Sequence, residues 1–202
     1  LFDPGCTGSD TSGGLSTKNF RALGNASFRH PTGALRMSKR AIIFDLDDTL
    51  VRSASLLPLR RSRNWQAVRQ AIPSVSLYPG VPELLRALRE RDVEYAIVTT
   101  APRQAYAEPM CSHHGIEPSV IIGYHDASPT KPHPGGTLLA IERLGVEASA
   151  VLGVGDSEKD HEAFRAAGLK TCLACWSEVA VTDLDWDHHA SMPLDVLALI
   201  DG

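Results

Sequence analysis

Short apolar runs, each followed by a polar turn and then a helical stretch, set the tightest limit on what this 202-residue chain can fold into. Ala41-Ile42-Ile43-Phe44 carries no polar position, the mark of a strand buried on both faces. Tyr95–Val98, Val120–Ile122, Ala150–Leu152 and Leu169–Leu173 are further strand candidates. Between them, residues 82–91 put Leu84, Leu85 and Leu88 on one stripe. Helical stretches at 103–114 and 135–144 come next, the second closed by Gly145. Residues 158–167 turn Ala163, Phe164 and Ala167 inward and stop at Gly168, and a last helix is expected over Pro193–Ile200. Strands alternating with helices mean βαβ units, so the expected class is α/β: a central parallel sheet covered on both faces.

Charge is unevenly placed along the chain. The total is −4, which argues against a protein that coats nucleic acid, and no apolar run approaches the ~20 residues of a membrane span. Residues 1–40 hold six Lys/Arg against two acids. Residues 52–82 hold Arg52, Arg60, Arg61, Arg63 and Arg69 with no acid, and residues 83–202 sum to −10. A basic insert in an acidic body either faces something anionic or is a solvated helix. Four cysteines make no disulfide framework, and the first 30 residues lack the apolar core of a secretory signal, so a cytoplasmic setting is expected. Without secretion the Asn25-Ala26-Ser27 sequon carries no meaning. Residues 1–38, rich in Gly, Ser, Thr and Asn and without period, read as a poorly ordered leader. Met37 is a candidate natural start, and a short partner-binding arm is the alternative.

Ligands of open parallel sheets bind outside the carboxyl ends of the strands, so the residues just beyond each run matter. After the first comes Asp45-Leu46-Asp47-Asp48-Thr49, after the second Thr99-Thr100, after the third His125, Asp126 and Lys131, and after the fourth Gly155-Asp156-Ser157-Glu158-Lys159-Asp160. Acids that converge with no arginine nearby call for a cation, and hard oxygen ligands favour Mg²⁺. Alone, any one of Asp45, Asp47 or Asp156 reads equally well as a strand-end cap or a solvated loop acid.

Together, the four segments resemble the haloacid dehalogenase superfamily in its phosphatase branch. The motifs D-x-D-x-T, a strand ending in Thr, Lys131-Pro132 and G-D-x-x-x-D occur in order over about residues 40–175. The resemblance implies a Rossmann-like three-layer sandwich over 39–202 with a small helical cap at about 51–80. It also implies Mg²⁺-dependent phosphomonoester hydrolysis through an aspartyl phosphate. Asp45 would be the nucleophile, and Asp47 would protonate the leaving oxygen and later deprotonate water. Mg²⁺ would sit on Asp45, the Asp47 carbonyl and Asp156, with Asp160 behind it orienting Lys131 or water. Thr99 would bind phosphoryl oxygens, with Thr100 its rival, and Lys131 would neutralise their charge. Thr49 and Asp48 read as turn residues. Asp47 itself argues for phosphate chemistry over dehalogenation, since dehalogenating members typically lack that second aspartate.

Three other patterns fail. Gly153-Val154-Gly155 lacks the third glycine of a dinucleotide loop, and an acid stands where pyrophosphate would lie. Cys172-Leu173-Ala174-Cys175 with His188-His189 beyond it departs from zinc spacing. His113-His114 reads as a complement to a helix dipole.

Only 53 residues separate Asp45 from Thr99, leaving about 30, Val51 to Gly80, for a cap. Asn64–Ile72 can form one amphipathic helix with Trp65, Val68 and Ile72 on a stripe. Arg60, Arg61 and Arg63 are candidates for a second anionic group of the substrate, and Trp65 either stacks on substrate or anchors the lid. A small phosphorylated molecule is the expected partner. A nucleic-acid end, a phosphotransferase or phosphomutase using the same residues, and an idle phospho-ligand or partner-binding domain are the alternatives.

Overall fold

The computed structural model describes residues 40–201. The leader read over 1–38 and the basic surplus, Met37 and sequon within it lie outside them. Six strands form one all-parallel sheet: β1 Ala41–Phe44, β2 Glu94–Val98, β3 Val120–Ile122, β4 Val151–Gly155, β5 Lys170–Ala174 and β6 His188–Ala190. Their order is β3-β2-β1-β4-β5-β6. The chain therefore leaves β1 toward one side and returns on the other, and the reversal lies between β1 and β4, where Phe44 is level with Val154. Such a reversal opens a crevice at the carboxyl ends of the two strands.

Alternation along β1 divides the core. Ile42 and Phe44 enter a cluster with Leu84 and Leu88 of α3 (Val81–Glu90), Met110 of α4 (Glu108–His114) and Val196 and Ile200 of α7 (Asp195–Asp201). Ala41 and Ile43 enter a second cluster with Ala140 and Leu144 of α5 (Gly135–Leu144) and Phe164 of α6 (Glu158–Ala166). Helices thus cover both faces, the three-layer arrangement expected.

Outside the insert, three elements differ from the expectation. β4 runs on to Gly155, through glycines that look like a loop. Each glycine is required by what packs on the strand: a Cβ at Gly153 would lie 2.5 Å from the Phe164 ring, and one at Gly155 would lie 2.4 Å from Asp160 Cβ. The 103–114 helix opens with a π-helical turn, Arg103–Ala107, before α4. The third difference is β6, whose His188 and His189 stand in register with Cys172 and Leu173 as edge-strand residues.

Asp187 holds β6 to β5. Its Oδ2 accepts from Thr171 N at 2.9 Å and Thr171 Oγ1 at 3.1 Å, and its Oδ1 from Lys170 Nζ at 3.1 Å. Burial works against the charged form, but these donors outweigh it and draw the carboxyl down to about 2. The stabilisation is present above the ordinary aspartate range near 4 and fades as pH falls toward 2. Asp187→Asn is expected to cost about 1–2 kcal/mol at pH 7 in urea unfolding, and almost nothing near pH 2. A cost that does not shrink with acid would contradict this.

The insert is pinned at both ends. Arg52 N donates to Ser76 O at 2.9 Å and Tyr78 N to Leu50 O at 3.1 Å. It holds two short helices where one was expected: α1, Leu57–Arg61, opened by Pro58, and α2, Trp65–Ala71. Asn64 caps α2, accepting from Ala67 N at 3.1 Å. Val68 and Ile72 are buried, and Trp65 packs beside Tyr106 with ring centroids 6.3 Å apart, so part of the indole anchors the insert. No helix among the described residues is long and apolar enough to cross a membrane.

Candidate active site

Asp45 comes directly after β1, with its N–H on the Val154 carbonyl at 3.0 Å. One turn later Asp48 takes φ 63°, a conformation aspartate tolerates better than most residues, and its Oδ1 accepts from Ser53 N at 3.0 Å. Thr49, expected as a turn residue, also donates through Oγ1 to Asp156 Oδ1 at 2.9 Å, fixing the acid that ends β4. The indole of Trp176 donates to the Thr49 carbonyl at 2.8 Å.

Lys131 lies at the centre of the cluster. Its ammonium has three N–H groups and three acceptors: Asp45 Oδ1 at 2.5 Å, Asp160 Oδ1 at 2.5 Å and Val98 O at 2.7 Å. Burial opposes its charge, but Asp160 and Asp45 more than offset this and hold the amine protonated above its ordinary range. Asp160 is the third residue of α6, where Oδ2 accepts from Ser157 N at 3.1 Å and Ser157 Oγ at 2.5 Å in a reciprocal cap. Both Asp160 oxygens are therefore engaged within the protein.

Electrostatics around Lys131 favour a cation. Carboxylate oxygens of Asp45, Asp156 and Asp160 lie within 4.8 Å of one another, and all three residues are buried. Burial raises Asp45 well above the usual carboxylate range, with Asp160, Asp156 and Asp47 adding to it against Lys131. Burial and the Asp160 charge push Asp156 up to about 7. The four carboxylates of Asp45, Asp47, Asp156 and Asp160 face the cations of Lys131 and Arg60, a formal excess of two negative charges. A divalent ion with oxygen preference fits that excess, and Asp45 and Asp156 are the side chains that could hold it, because Asp160 is already committed.

One expectation needs correction. The acids are not without an arginine: Arg60 of α1 places Nη1 2.7 Å from Asp47 Oδ1. The insert folds back over the motif, a proximity that spacing along the chain does not reveal. Tyr106 also donates its hydroxyl to Asp47 Oδ1. Nothing in the sequence singles Tyr106 out.

The remaining site candidates divide. Asp45, Asp47, Thr100, Lys131, Asp156, Asp160 and Arg60 line one cavity of about 430 Å³. Thr99 is buried, its Oγ1 accepting from Ala101 N at 3.1 Å, and it is Thr100 that reaches the cavity wall. Arg61 and Arg63 do not reach the acids. They border an adjoining cavity of about 330 Å³ with Trp65, Tyr124 and His125, and Leu57, Arg60 and Thr100 are common to both spaces. Cys172 is a fully buried strand residue, and Cys111, Cys172 and Cys175 are free thiols.

Comparison with known proteins shows the family and the fold. The family model of haloacid dehalogenase-like hydrolases matches residues 58–174, which include Thr99, Lys131, Asp156 and Asp160. The chain belongs to that family. It is 32% identical over 127 residues to a phosphoglycolate phosphatase of Aquifex aeolicus, covering 62% of this chain and 59% of the relative. It is 36% identical over 108 residues to an N-acetylmuramic acid 6-phosphate phosphatase of Pseudomonas aeruginosa, covering 52% and 47%. The chain thus spans about half the length of the curated relatives it matches. Among solved structures it shares its fold with CbbY from Rhodobacter sphaeroides in complex with phosphate, at TM-score 0.69 and 18% identity over 82% of this chain and all of that one. A HAD phosphatase from Thermococcus onnurineus gives TM-score 0.68 and 19% identity over 81% and 98%.

Proposed function

We propose that this chain is a Mg²⁺-dependent phosphomonoesterase that works through an aspartyl phosphate on Asp45. The observation that carries the reading is the Lys131 ammonium, saturated by Asp45, Asp160 and the Val98 carbonyl beside Asp156. A buried lysine bound to a buried carboxylate keeps that carboxylate aligned and screens the charge of an incoming phosphoryl group. Asp45 attacks phosphorus, and Asp47, two residues on, gives a proton to the departing alcohol and then takes one from the water that releases phosphate. Asp45, Asp156 and the Asp47 carbonyl would hold the metal, which when bound neutralises charge on the phosphoryl oxygens. Thr100 supplies the hydroxyl that reaches the cavity just beyond β2, with Thr99 buried beside it. Phosphate release from 4-nitrophenyl phosphate, assayed with Mg²⁺ and with EDTA, tests the reading. Release that persists in EDTA would sink the metal requirement.

The substrate in this reading is a small phosphate ester with a second anionic group. Arg61 and Arg63 line the adjoining cavity, and the two relatives described above are named for phosphate esters of organic acids. Replacing Arg61 and Arg63 together by alanine is expected to raise KM for 2-phosphoglycolate about fivefold and to change that for 4-nitrophenyl phosphate less than about twofold. Equal changes would reduce the two arginines to solvated surface.

A further inference from the structure

We propose that Tyr106 and Arg60 are a positioning pair that grips Asp47 by Oδ1 and so assigns its proton transfer to Oδ2. This rests on Asp47 being the acid–base group proposed above. A donor and a cation from separate parts of the chain converge on one oxygen: the Tyr106 hydroxyl donates to it, and Arg60 Nη1 forms an ion pair with it at 2.7 Å. The other oxygen, Oδ2, is buried and has no hydrogen-bond partner. A carboxyl oxygen that already accepts from a phenol and lies against a guanidinium charge is a poor place for a proton, because the guanidinium cannot accept one and its charge repels it. The proton of the neutral acid therefore belongs on Oδ2. Gripping Oδ1 also stops the carboxyl group from turning about its Cβ–Cγ bond and exchanging the two oxygens.

Tyr106 is held for this task. It lies in the π-helical turn Arg103–Ala107, a local widening common at functional sites. Tyr106 N and Ala107 N both donate to the Pro102 carbonyl, at 3.0 and 3.1 Å. Arg103 at the start of the turn is tied to Asp126 at 2.9 Å and Glu108 at 2.7 Å. Tyr106 is fully buried, with Arg60 Cζ 5.0 Å from its ring centroid and Trp65 beside it. The insert thus meets the core at the residue that holds Asp47.

As an Asp45 oxygen bonds to phosphorus and the ester P–O bond breaks, the Oδ2 proton passes to the leaving oxygen and the alcohol departs. Water then attacks phosphorus and gives one proton to Oδ2, while the Asp45–phosphorus bond breaks and inorganic phosphate leaves. Oδ2 thus takes back in the second step the proton it gave in the first.

The test uses two esters of similar size, phenyl phosphate and 4-nitrophenyl phosphate, because only the less acidic phenol depends strongly on being protonated as it leaves. Tyr106→Phe in the full chain is expected to lower kcat/KM for phenyl phosphate about tenfold or more, and for 4-nitrophenyl phosphate less than about threefold. In an Asp47→Asn background the Tyr106→Phe change is expected to add nothing, since it acts through Asp47. Arg60→Gln, which removes the ion-pair charge and keeps Tyr106 in place, should tilt the two esters the same way and covers the case in which Tyr106→Phe does not fold. Equal losses on both esters, no loss on either, or full additivity with Asp47→Asn would overturn the positioning role. A wild-type protein inactive on both esters, or an Asp45→Asn variant that retains turnover, would instead overturn the phosphatase reading and this proposal with it.

Discussion

Asp45→Asn is expected to lower turnover of 4-nitrophenyl phosphate by a factor on the order of 10⁴ or more while leaving the fold intact, since an amide in place of the nucleophile can form no aspartyl phosphate. The amide oxygen keeps an acceptor for Lys131 Nζ, so the central hydrogen bonds survive. In EDTA at neutral pH the variant is expected to melt no lower than wild type. The Asp45 carboxyl is raised well above its usual range, mainly by burial. A raised carboxyl is one the native state prefers protonated, so its ionised form costs stability once pH exceeds the unfolded pKa near 4. Removing that charge removes the cost. Turnover within about tenfold of wild type would remove Asp45 as nucleophile, and a large fall in melting temperature would contradict the charge argument.

Lys131→Met has the largest expected effect on stability. It leaves Asp45 and Asp160 buried without their cation and the Val98 carbonyl without its donor. Breaking a buried pair from one side typically costs about 3–5 kcal/mol, far more than the pair contributes over an apolar replacement. A loss of that size is expected in urea unfolding without metal, together with loss of turnover. Adding Asp160→Asn should recover part of the stability, because one of the stranded charges goes with it, and should recover none of the turnover. A Lys131→Met protein as stable as wild type would mean that the ammonium is not the counter-ion the geometry makes it.

How legible each feature is in the sequence depends on the kind of contact involved. β1 is legible to the residue because all four of its side chains are apolar and buried. The acids at the strand ends are legible because short turns leave no other place for them. β4 reads too short because Gly153 and Gly155 look like loop residues, whereas Phe164 and Asp160 pack where their side chains would be. β6 is invisible: His188-His189-Ala190 has no apolar pattern, and it is held at the edge by Asp187. The charge of the insert is plain, but the reach of Arg60 to Asp47 depends on how α1 folds back. Tyr106 carries no signal, because a tyrosine that packs a core and one that holds a carboxyl look alike until the partner of its hydroxyl is seen. The rivalry of Thr99 and Thr100 likewise turns on the strand end, where one hydroxyl is buried against Ala101 N and its neighbour meets the cavity.

The most direct test of the central claim is to quench the protein in acid during turnover of 4-nitrophenyl phosphate with Mg²⁺ and to map any phosphoryl adduct by mass spectrometry. The account predicts an adduct on the peptide carrying Asp45, located to that residue and absent from Asp45→Asn. An adduct on another residue, or continued turnover with none under conditions that preserve acyl phosphates, would contradict it.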